Sequence, residues 1–172
     1  MYSSHIMIFT YLTKKFYINI FTVFFIFFLD RISKLYVIYL HDKRFGGDLF
    51  SSDYLNINLI WNEGIAFGLF AFEESEFYNF LTLFISLIIS VIIYMVIKSN
   101  GLKRFALLMI IGGALGNLYD RVVFLAVPDF IDFHIGNFHW FTFNIADIFI
   151  SVGVIFMILL EFIDNNKDKI NE

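Results

Sequence analysis

The stretch FYNFLTLFISLIISVIIYMVI, Phe77 to Ile97, holds 21 consecutive residues without a charge. A bilayer core needs roughly 20 mostly apolar residues per helical span, so this segment predicts a transmembrane helix. Working outward, three more runs satisfy the same test. The first is uncharged from Phe16 to Leu29 and continues through Asp30, Arg31 and Lys34 to about Leu40. The third spans about 103–121 and is uncharged from Phe105 to Tyr119, with Lys103 and Arg104 before it and Asp120 and Arg121 after it. The fourth, about 141–161, carries the single charge Asp147 up to Leu160. The expected fold is an all-α membrane protein, one domain over 1–172 with spans at about 16–40, 77–97, 103–121 and 141–161.

Composition agrees. Hydrophobic residues make up 59% and charged residues 16% of the 172, where soluble domains average about 25% charged. A free-standing water-soluble enzyme and a disordered chain are both excluded. With no Cys there are no disulfides, thiolate metal sites or Cys nucleophile. A net charge of −4 gives no reason to expect nucleic acid.

Lys and Arg concentrate on the cytoplasmic side of membrane proteins. Lys14, Lys15, Lys98, Lys103, Arg104, Lys167 and Lys169 fall on one side of the four spans, against Lys43, Arg44 and the boundary residue Arg121 on the other. Both termini are therefore expected in the cytoplasm. Asp30-Arg31 stands where a secretion signal needs a small-residue cleavage site, so the first span should stay as an anchor. The extracytoplasmic parts are then loops at about 41–76 and 122–140. In the first, Leu55, Ile57 and Leu59 alternate with Asn56 and Asn58, which predicts a strand in a small sheet on the outer membrane surface. Trp61 and Trp140 suit the headgroup level. The acidic Glu73, Glu74 and Glu76 read as a solvated edge.

Carboxylates at membrane depth cost at least a few kcal/mol and need a reason. Five require one: Asp30, Asp120, Asp129, Asp132 and Asp147. Asp30 and Lys34 have the i,i+4 order of an internal ion pair, an anchor for the first helix. Asn117 shares a face with Asp120 and Arg121, as a polar cluster or a simple helix-end anchor. Asp147 is expected about six residues inside the fourth span, roughly 9 Å along it, on one face with Asn144 and Ser151. A structural hydrogen-bonding seam would use the same face. Asp129 lies among Val127, Pro128, Phe130 and Ile131, which argues for a held rather than free loop. Gly112, Gly113 and Gly116 thin the third helix for close packing. No H-E-x-x-H or G-x-S-x-G pattern occurs, so neither a zinc peptidase nor a serine nucleophile is supported, and no metal or cofactor is expected.

What remains is carboxylate chemistry. Two acids in a poorly solvated pocket share one proton. The ionised one can activate a water while the protonated one polarises a peptide carbonyl. Spacing favours acids near the outer ends of helices three and four but leaves the pair open. A proton-relaying transporter subunit, or a purely structural subunit, would use the same residues differently.

Five blocks together resemble lipoprotein signal peptidase, the signal peptidase II family. Asp30-Arg31-Ile32-Ser33-Lys34 is similar to its D-Q-x-[ST]-K element, and Asn62-Glu63-Gly64-Ile65-Ala66-Phe67 to its N-x-G-x-[AS]-F element. Gly112 to Arg121 matches G-G-A-x-G-N-x-x-D-R. Val127-Pro128-Asp129-Phe130-Ile131 and Phe143-Asn144-Ile145-Ala146-Asp147 are similar to V-x-D-F and F-N-x-A-D. Arg31 replaces the usual Gln, and Phe141 stands where a Pro is common. The resemblance implies an aspartic endopeptidase that cuts a diacylglyceryl-modified prolipoprotein before its lipidated Cys, in the bacterial inner membrane, inhibited by globomycin-type peptides. It implies Asp129 and Asp147 as the catalytic pair, with Asn62, Asn117, Asp120, Arg121 and Asn144 supporting the dyad or binding substrate. Asp30 and Lys34 take an architectural role, and a half-helix follows the loop strand at the membrane surface. A monomer working among membrane lipid is expected.

Overall fold

The computed structural model describes the backbone at residues 2–64 and 74–171 and the side chains at 15–64 and 78–164. Ile65-Ala66-Phe67, the expected surface half-helix, the side chains of Glu73, Glu74 and Glu76, and those of Lys14, Lys167 and Lys169 lie outside the described residues. The elements run α1 (Tyr2–Lys43), β1 (Phe50–Ser51), β2 (Leu55–Asn62), α2 (Glu74–Lys98), α3 (Gly101–Phe124), β3 (Val127–Ile135), β4 (Phe138–Phe143) and α4 (Ile145–Asn171).

Among the described residues three helical segments are long and apolar enough to cross a membrane: Tyr78–Lys98, Gly101–Phe124 and Ile145–Asp164. Their outward faces are apolar. On α2, Leu83 is 70% and Leu87 61% exposed, and α1 presents Phe21, Phe24, Phe25 and Phe28 in the same way. Such surfaces are stable only with hydrocarbon as solvent.

The helix at the centre is α3, which packs against α1, α2 and α4. Its glycines explain how. A Cβ on Gly112 would meet the Ile26 side chain of α1, and one on Gly113 would strike the Ala146 carbonyl of α4. One on Gly116 would meet the Asp30 carboxylate and Ala146 together. The thin strip thus serves two neighbours, and closes around the point where α1, α3 and α4 converge.

The strands form one antiparallel sheet in the order β1-β2-β3-β4. The expected strand at Leu55 to Leu59 is the core of β2, although its residues are half-buried rather than alternating. Two boundaries differ from expectation. Residues 122–140 are not a loop: α3 continues to Phe124, Leu125 ends it at φ +57, and most of the remainder is strand. Helix α4 starts at Ile145, not at 141, because Phe141 to Phe143 belong to β4, with Thr142 and Phe143 paired to β3. The apolar run across β4 and α4 hid that change of period. Strands β3 and β4 join through Gly136-Asn137, where Gly136 takes φ +59, a conformation open to Gly at the first position of a two-residue hairpin turn.

The far half of β3 is inverted relative to a strand of a soluble sheet. Asp132 and His134 are buried, while Phe133 and Ile135, which alternate with them, are 46% and 60% exposed.

Candidate active site

Helix α4 begins with Asn144-Ile145-Ala146-Asp147, and its first turn is locked by a reciprocal cap. The Asp147 N–H donates to Asn144 Oδ1 at 3.1 Å, and the Asn144 N–H donates to Asp147 Oδ2 at 3.1 Å. This is the capping-box arrangement with Asn and Asp in place of Ser and Glu. Asp147 is therefore in the first turn, not six residues deep, and Ser151, one turn further on the same face, is exposed. The reason is the late helix start set by the Asn144 cap.

Asn144 has one function left, its side-chain N–H2, and this donates to Asp129 Oδ1 at 2.6 Å. One fully buried residue consequently holds Asp129 and Asp147 at once. The other oxygen of Asp129 accepts from Asn62 Nδ2 at 2.9 Å, while Asn62 Oδ1 accepts the Gly64 N–H at 2.8 Å, which fixes the amide. The register sets this up: Ile60 pairs with Asp129 across β2 and β3, which brings Asn62 alongside. The second oxygen of Asp147 accepts from Asn117 Nδ2 at 2.8 Å. Burial raises the affinity of Asp129 for its proton above the ordinary carboxyl range, opposed by the amides of Asn62 and Asn144 and reinforced by the neighbouring Asp147 charge.

Behind the acids lies an ionic cluster. Lys34 uses all three ammonium protons, on Asp30 Oδ2 (2.8 Å), Asn117 Oδ1 (2.8 Å) and Asp120 Oδ2 (2.7 Å). Arg31 pairs with the other oxygen of Asp120 and lies over the Tyr119 ring at 5.0 Å. Asp30 Oδ1 accepts the Ala146 N–H at 2.9 Å, which places a carboxylate at the positive end of α4. Asp30, Lys34 and Asp120 are wholly buried. Two acids facing two bases leave the cluster formally neutral, which is what makes such burial tolerable.

The structure thus brings Asp129, Asp147, Asn62, Asn117 and Asn144 together, with Asp30, Lys34 and Asp120 behind them. Asp120 has no solvent access, and its carboxylate bonds the cations Arg31 and Lys34. Arg121 stands at the margin, donating to the Asn117 carbonyl at 3.3 Å, while its own carbonyl accepts the Tyr78 hydroxyl at 3.0 Å. Asp132 is elsewhere, bonded to Asn56 and His139. Sequence reasoning missed two features. The cap was legible as N-x-x-D before an apolar run. The contribution of Arg31 to the cluster had no local signal, because its partner is 89 residues away.

The sequence model of the family described as signal peptidase (SPase) II matches residues 22–163. A lipoprotein signal peptidase of Pelagibacter ubique (strain HTCC1062) is 49% identical over 159 residues, covering 92% of this chain and 95% of that protein. One of Anaplasma phagocytophilum (strain HZ) is 46% identical over 134 residues, 77% of this chain and 84% of that protein. A solved bacterial membrane enzyme at 2.3 Å resolution superposes with a TM-score of 0.68 and 29% identity, covering 87% of this chain and 90% of that one. Another at 1.9 Å gives 0.67 and 30%, covering 83% and 90%.

Proposed function

The chain belongs to the signal peptidase II family and is a multi-pass membrane protein, and from that premise we propose that it is an aspartic endopeptidase that removes signal peptides from diacylglyceryl-modified prolipoproteins. Asp129 and Asp147 are the reacting acids. The observation that carries this reading is the grip of Asn144 on both, a single buried amide residue that caps onto Asp147 and donates to Asp129.

The dyad holds one proton, favoured on Asp129 by its burial. Asp147 takes a proton from water as the oxygen attacks the scissile carbonyl. The Asp129 proton reaches the carbonyl oxygen and forms a gem-diol. Collapse re-forms the carbonyl, breaks the C–N bond, and delivers a proton to the leaving nitrogen. No covalent enzyme intermediate and no metal is required. Asn62, Asn117 and Asn144 fix the acids so that none of the barrier is spent ordering them.

Cleavage falls just before the lipidated Cys. The substrate's acyl chains stay in the bilayer, which each buried CH2 favours by about 0.8 kcal/mol. In this reading α1 is the fourth span, the sheet lies on the outer surface of the bacterial inner membrane, both termini are cytoplasmic, and the dyad sits near the outer leaflet of a monomer. Globomycin-type peptides would block it.

The test is a purified enzyme incubated with a diacylglyceryl-modified prolipoprotein. Asp129→Asn and Asp147→Asn should each lower turnover at least about 100-fold, the scale of lost acid–base catalysis, while remaining folded and inserted. Ordinary turnover by either variant would defeat the dyad. Solute or ion flux without cleavage would favour a transporter, and an inert wild type a structural subunit.

A further inference from the structure

One face of the β3–β4 hairpin carries chemistry that the dyad does not use. Asp132 and His134 are two residues apart on β3 and share a face, and His139 on β4 pairs directly opposite His134. The imidazoles stack with centroids 4.9 Å apart and planes at 17°. His139 Nδ1 lies 2.8 Å from Asp132 Oδ2, which also accepts from Asn56 Nδ2 at 3.2 Å. Asp132, His134 and His139 each offer a donor atom within 4.8 Å of the others. His134 is only 9% exposed, yet its Nδ1 has no hydrogen-bond partner. A buried, unpaired nitrogen is costly and calls for a partner, which a bound ion can supply.

We propose that Asp132, His134 and His139 bind one divalent transition-metal ion of the zinc class, which clasps β3 to β4. Two imidazoles and a carboxylate are the donors of a borderline ion and not of magnesium or calcium, which take oxygen ligands. Bonds of about 2.1 Å at tetrahedral angles put donor atoms about 3.4 Å apart. The widest pair must therefore close by roughly 1.4 Å (4.8 less 3.4). Rotation of the exposed His139 side chain supplies that movement. Asn56 holds the Asp132 carboxylate from outside, as outer-shell groups do at metal sites. A fourth position is left for water. Because Asp129 lies at the start of β3 and Asn144 just beyond the end of β4, the ion would fix the two strands that carry them.

The experiment uses full-length, untagged, chelator-treated protein in detergent. Calorimetry with Zn2+ should give one equivalent. Co2+ should lose the pale spectrum of the hydrated ion and gain the stronger visible absorption of a low-coordinate site. His139→Ala and His139→Gln should each weaken binding at least about tenfold, the cost of losing even an outer-shell partner. Asp129→Asn should bind like the wild type. An unchanged Co2+ spectrum in the wild type, or equal affinity in the wild type and both His139 variants, overturns the proposal. The wild-type spectrum decides this even if a variant misfolds.

Discussion

Asn144 carries more of the site than either acid, because its N–H and side-chain oxygen make the reciprocal cap with Asp147 while its side-chain amide donates to Asp129. Asn62 offers a cleaner test, since it bonds the dyad through Asp129 alone. Its amide stabilises the ionised form of a carboxyl that burial already pushes above the usual range. Removing that donor in Asn62→Ala pushes the group further up. The protonated acid then persists to higher pH, so the alkaline limb of kcat/KM should move upward. A pH–rate profile with that limb unmoved, or moved down, would show that the Asp129 proton does not govern turnover. At this scale the sequence was readable where chemistry is rare. Acids in a chain so apolar stand out, whereas the Asn117 contacts to Lys34 and Asp147 and the Asn144 contact to Asp129 exist only because the fold brings those partners in.

The helices owe their packing to α3, and the prediction there is steric. A methyl group on Gly113 points into the Ala146 carbonyl, a backbone atom with no freedom to rotate away. Gly113→Ala should therefore lower stability by about 1–3 kcal/mol, the usual cost of overpacking, read as a fall in thermal unfolding temperature. Ala at Gly136, with nothing near its Cβ direction, provides a control for contact, though its positive φ adds local strain of its own. Apolar run length located α2 without ambiguity. It misplaced the start of α4 because β4 is as apolar as the helix it feeds. The hairpin escaped notice for a related reason. Over Asp132 to Ile135 its apolar residues face outward and its polar ones inward, so the usual meaning of alternation is reversed there.

For the molecule as a whole, the neutral cluster behind the dyad joins α1 to both later helices. Lys34→Met leaves Asp30 and Asp120 buried with Arg31 as the only neighbouring cation in the cluster. Breaking one partner of such a group costs about 3–5 kcal/mol. The variant should unfold at markedly lower temperature while still inserting, and an unchanged melting curve would mean that the cluster relaxes by taking in water. The family of the chain was legible from five short blocks in order, but the way those blocks meet was not. Asp30 touches Ala146 across 116 residues, a contact no local pattern announces. That contact also orders events during synthesis. A nascent chain emerging from the ribosome presents Asp129 first, and the second acid arrives only with the last helix, seated by a residue made long before. In the proposed mechanism a truncated product ending before Asn144 is born inert, lacking both the second acid and the amide that seats it.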